Sequence, residues 1–106
     1  LDLNNCEIKA CGSGSGKVIC GGKTSSTLLN STVVASLHVL VKHGGMDLTN
    51  STVANTSTDG DVLVKAVTVT VDGATILDGG NDGGPVVKGT LVGTPAALGA
   101  GTVGCP

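Results

Sequence analysis

The chain has 106 residues, six Lys, no Arg and eight acids, for a formal net charge of -2, and it contains no Phe, Tyr or Trp. No basic stripe exists to follow a phosphate backbone and no aromatic platform exists to stack a base or a sugar ring, so nucleic acid is not an expected partner. Any core must be aliphatic, and no apolar run approaches the ~18 residues that would span a bilayer as a helix.

A chain of this length is one small domain with a modest surplus over chain entropy. Cys6, Cys11, Cys20 and Cys105 are the expected staples, because an even count in a short chain fits disulfides formed in an oxidising compartment. The start at Leu1 rather than Met fits a processed, secreted product. Residues 1–22 form a cysteine-rich N-terminal cap in this reading, and 93–106 an atypical C-terminal coil or tail.

In chain order, Leu3-Asn4-Asn5-Cys6-Glu7-Ile8 introduces a form that returns as Leu28-Leu29-Asn30-Ser31-Thr32-Val33 and Leu48-Thr49-Asn50-Ser51-Thr52-Val53. It continues as Val71-Asp72-Gly73-Ala74-Thr75-Ile76, with Leu98-Gly99-Ala100-Gly101-Thr102-Val103 a degenerate fifth copy. Between the copies, Val39-Leu40-Val41-Lys42 recurs as Val62-Leu63-Val64-Lys65 and Asp59-Gly60 as Asp82-Gly83, both 23 residues on. The pairs Thr52-Val53 and Thr75-Ile76, and Gly21-Gly22 and Gly44-Gly45, share that offset, and Pro85-Val86-Val87-Lys88 follows in register. Leu37, Val39 and Val41 form one face of a strand, as do Val67, Val69 and Val71.

A shared offset predicts an all-β fold, a small parallel β-solenoid with coils of about 23 residues. Asn5, Asn30 and Asn50 would sit at one bend and hydrogen-bond from coil to coil. Through the pattern Leu-x-Asn-x-Thr-Val the sequence resembles the right-handed parallel β-helix of pectin-lyase-like proteins and filamentous adhesins, a likeness covering Leu3 to Val103. The rival architecture is an antiparallel β-sandwich, which the length of Val62 to Val71 would suit.

Site chemistry is sparse. Gly12 to Lys17 lacks the first Gly and the final Ser/Thr of a phosphate-binding loop. His38 and His43, five apart, fall on opposite faces of a strand and share no metal. Asp59, Asp61, Asp78 and Asp82 lie in Gly-containing loops that offer oxygen ligands to calcium, against the plainer reading of Asp-Gly as turn chemistry. Asn30, Asn50 and Asn55 head N-glycosylation sequons. Asn55 is the best candidate, since Asn30 and Asn50 are also the ladder residues.

The β-helix resemblance brings polysaccharide cleavage to mind, but its acid pairs and Arg base have no counterpart here, and fold alone does not confer activity. The expectation is therefore a non-catalytic extracellular structural protein without cofactors. It would be a subunit that assembles with itself into a surface filament or coat through β contacts and disulfides. The alternatives are a carbohydrate- or ice-binding solenoid module, using Thr on a flat face, and a viral capsid decoration protein if the fold is a sandwich.

Overall fold

The computed structural model describes residues 2–10, 17–21, 25–35, 38–42, 44–55, 64–79 and 87–99. These carry β1 (Asp2–Asn4), β2 (Glu7–Ala10), β3 (Lys17–Gly21), β4 (Ser26–Leu29), β5 (Thr32–Ala35) and β6 (His38–Lys42). There follow β7 (Gly45–Thr49), β8 (Thr52–Asn55), β9 (Val64–Val71), β10 (Ile76–Asp78), β11 (Val87–Val92) and β12 (Ala97–Leu98). The runs are short and rich in Val, Thr and Leu, with Asn or Gly at their ends, the composition that favours strands broken by sharp bends.

The strands form two sheets. One has the order β1-β4-β7-β9-β6-β3 with β11 added on β9, and the other the order β12-β10-β8-β5-β2. Neither sheet closes on itself. Every described strand pairing is parallel, which rules out the antiparallel sandwich. Parallel neighbours cannot be joined by a hairpin and need a long connection. Here β4 pairs with β1 and β7, and β5 with β2 and β8, so the chain passes from the first sheet to the second between β1 and β2, β4 and β5, and β7 and β8, whereas β3 and β4, like β6 and β7, follow one another within the first sheet.

The register follows the sequence repeat with corrections. Asp2 faces Thr27 and Glu7 faces Thr32, 25 residues apart, while Thr27 faces Asp47 and Thr32 faces Thr52, 20 apart. Lys42, Lys65 and Lys88 stand opposite one another in turn at an interval of 23. Gly21, however, faces Lys42 rather than Gly44. Thr52 faces Ile76 and Val53 faces Leu77, one residue beyond the expected Thr75 and Ile76, because five residue steps separate Val71 from Ile76 where four separate their partners Leu48 and Thr52. The fifth copy of the pattern is also displaced. Ala97 and Leu98 pair with Ile76 and Leu77, so it ends at Leu98 rather than beginning there.

The core lies between the sheets. Leu28, Met46, Leu48, Val69 and Val71 come from one, Val33, Ala35, Val53 and Leu77 from the other, and Leu3, Ile8, Ala10, Val87 and Leu91 pack against them at the ends. Burying each such side chain contributes roughly 1.5–3 kcal/mol, and with no aromatics the many small aliphatic contacts must supply it all. Val34 and Ala54, at 1% and 0% exposure, are buried too, although they face away from that cluster on β5 and β8.

Strand β9 departs from the expected alternation. Ala66, Val69 and Val71 are buried, but Val67 is 71% exposed. The strand turns a corner there: Lys65 pairs with Lys42 of β6, whereas Thr68 pairs with Gly45 of β7. The neighbours make room with glycine. Gly44 has φ 65° and accepts the Val67 amide at 2.8 Å, and Gly89 has φ 142° at the register shift between Lys88 and Thr90. A Cβ on Gly89 would lie 1.8 Å from the Ala66 carbonyl oxygen, so no other residue fits that approach. The alternation of Leu37, Val39 and Val41 lies outside the described side chains.

Candidate functional site

The most ordered polar feature is the bend that carries the chain from one sheet to the other. Asn5, Asn30 and Asn50 adopt φ of 55°, 50° and 45°, the left-handed region that Asn tolerates better than other residues with a side chain. This conformation turns the strand sharply and directs each amide to the next repeat. Asn5 N–H donates to Leu29 O and Asn30 N–H to Thr49 O, both at 3.0 Å. The Asn50 side-chain amide donates to Asn30 Oδ1 at 2.8 Å. The three Asn are exposed, not buried as a core ladder would be.

Behind them runs a second column of hydroxyls. Ser31 Oγ accepts the Cys6 amide at 3.2 Å and donates to Leu29 O at 2.9 Å. Ser51 Oγ likewise accepts the Ser31 amide at 3.1 Å and donates to Thr49 O at 2.8 Å. Both serines are buried, and these contacts satisfy groups that would otherwise cost about 1–3 kcal/mol each when left unpaired. Sequence reasoning found the Asn positions and missed the hydroxyls, although Asn-Ser occurs at both bends.

At the longer bend, Asp72 takes over the acceptor role. Its two carboxylate oxygens each lie 3.1 Å from the Asn50 amide. Oδ1 also accepts the Ala74 amide at 3.2 Å and the Thr75 hydroxyl at 2.7 Å. The Thr75 hydroxyl, and after it the Asn50 amide, hold the Asp72 carboxyl below its ordinary value. The side chain thus bridges the extra residue: it stands where the carbonyl of Leu29 or Thr49 stands in earlier repeats.

The column ends at the last described repeat. Ala96 N–H donates to Thr75 O at 2.8 Å, and Ala96 has no hydroxyl. Pro95 before it has no N–H, so the donor that Asn5, Asn30 and Asn50 aim forward is missing. Strand β12 has two residues and β11 carries a bulge. At the other end β1, β2 and β3 each have one described neighbour. Cys6 there is an exposed free thiol, its Sγ 3.3 Å from Asn4 O.

The remaining sequence candidates are not gathered into a centre. Cys11, Cys105, His43, Asp59, Asp61 and Asp82 lie outside the described residues, as do the side chains of Cys20, His38 and Asn55. Asp78 is fully buried in β10. Among the described residues no three His, Cys, Asp or Glu side chains form a metal-binding group. The outer face of the first sheet carries Thr27, Asp47, Thr70 and Val92 in one row, so its threonines are interrupted by an acid and end in a valine. Thr68 faces Thr90, but on its other side stands Gly45.

Comparisons with protein-family models, with curated proteins and with solved structures returned no match.

Proposed function

We propose that the chain winds as a small parallel β-solenoid and serves as a non-catalytic, extracellular structural subunit of a surface filament or coat. Support for the winding comes from strands of both sheets pairing in parallel with partners 20 to 25 residues away, close to the coil length read from the sequence.

The observation that carries the functional reading is the set of open strand edges. β1, β2 and β3 at one end, and β11 and β12 at the other, each have a single described neighbour. Unpaired edges are templates for joining another chain. Electron microscopy of the native, non-reduced protein tests this: ordered filaments or sheets support the subunit role, and dispersed single particles at high concentration overturn it. The binding-module alternative has weaker support, since ice or a flat polysaccharide needs a regular array and the outer row is interrupted by Asp47.

A further inference from the structure

The two ends of the sheets are chemically unlike, and one of them is complementary to itself. At the late end, Pro95 withholds a donor, Gly89 sits in a bulge and β12 is two residues long, features that make it the poorer template of the two. The early end has none of these. Strand β2, Glu7-Ile8-Lys9-Ala10, pairs with β5 over its whole length without a register shift.

Alternation along β2 decides which groups remain open. Thr32 N–H donates to Cys6 O at 2.9 Å, so the backbone groups of even-numbered residues turn toward β5. Those of Glu7 and Lys9 then turn to the open side, since successive peptide groups in a strand point opposite ways. An antiparallel copy centred on Ile8 would place Glu7 opposite Lys9 of the second chain, and Lys9 opposite its Glu7. These are the residues whose N–H and C=O are free, so both hydrogen-bonded pairs form at once.

The side chains agree with that register. Glu7 Oε1 and Lys9 Nζ lie 3.2 Å apart on the exposed face, with side-chain exposures of 61% and 38%. Two copies would alternate the four charges around a square, and cross-strand opposite charges favour pairing whereas like charges oppose it. Ile8, half-buried against the core, would meet the Ile8 of the second chain and extend the apolar interior. A head-to-tail stack would instead set Glu7 and Lys9 against a strand made of Ala97 and Leu98, with no charge to answer them.

We infer that the chain associates with a second copy through its β2 edge, head to head about a two-fold axis at Ile8. Closed symmetry of this kind makes one patch serve both partners. The inference rests on the structural-subunit reading and specifies its first contact. Cys6 falls opposite Ala10 of the second copy in this register, so the pair needs no disulfide.

Sedimentation equilibrium of the full chain, with and without reductant, tests the inference. The expected wild-type species is a dimer that survives reduction. Lys9→Glu and Glu7→Lys each bring like charges together and should weaken self-association at least tenfold, whereas the double variant Glu7→Lys/Lys9→Glu restores it. Circular dichroism of each variant verifies the fold, and the double variant keeps the test decisive if a single one unfolds. A monomeric wild type, a dimer lost on reduction, or one insensitive to Lys9→Glu but broken by Leu98→Lys overturns the head-to-head pair. Microscopy judges the subunit reading separately, since filaments without this dimer would leave that reading standing.

Discussion

Asn50 and Asn30, 20 residues apart in sequence, are joined by a 2.8 Å hydrogen bond between their side-chain amides, and both backbones are left-handed. The same two side chains therefore fix a bend and tie one repeat to the next.

Replacing Asn50 separates those roles. Asn50→Gly keeps the backbone freedom and loses the side-chain bond, a loss of about 0.5–1.5 kcal/mol. Asn50→Ala also incurs the left-handed penalty of roughly 1–2 kcal/mol and should be the less stable of the two. Urea unfolding of both variants checks the order, and equal stabilities would mean that the conformation contributes nothing.

Asp72 makes stability depend on acidity. Its folded pKa is lowered, so its contribution is present above the ordinary carboxylate pKa and is lost as the pH falls through the depressed folded value. Asp72→Asn should lower the midpoint of thermal unfolding at neutral pH and shrink the difference between neutral and acid pH. Melts across that range in both proteins measure it, and parallel curves would remove Asp72 as the cause.

Two glycines predict opposite outcomes. Gly89→Ala forces a Cβ to within 1.8 Å of the Ala66 carbonyl at a φ of 142° and should cost more than about 2 kcal/mol. Gly73→Ala meets nothing within 4 Å and should stay within about 0.5 kcal/mol of wild type. Denaturant midpoints of the two variants give the comparison, and a tolerated Gly89→Ala would contradict the corner at β9.

Leu77 is fully buried where β10 meets β8 and β12. Leu77→Ala should cost about 2–5 kcal/mol, the transfer term plus the cavity left behind. Chemical unfolding at constant slope reads this directly, and a loss below 1 kcal/mol would place Leu77 outside the core.

Much of the register was legible because repeated bends leave repeated residues. The series Asn5, Asn30, Asn50 and the lysines 42, 65 and 88 mark equivalent positions, and structure and sequence agree on them. The errors arose where one chemical solution replaced another. At the fourth bend a carboxylate on Asp72 does with a side chain what a main-chain carbonyl does earlier, and the added residue shifts the register without disturbing the polar pattern. At the fifth, Gly93-Thr94-Pro95-Ala96 shares no residue with the Asn-Ser pair, so the sequence pattern points past it to Leu98. The exposed Val67 was hidden because a bend within a continuous strand leaves composition unchanged. The contact proposed at β2 depends on which backbone groups face outward, which the sequence alone does not state.

The bends that lead from the first sheet into the second hold two residues three times and then four residues twice, while the stretches that lead back, between β2 and β3, β5 and β6, β8 and β9, and β10 and β11, vary from two residues to eight. Length variation is thus sorted by position. Every pairing on either side of a long stretch stays parallel and, apart from the bulge at Gly89, in step.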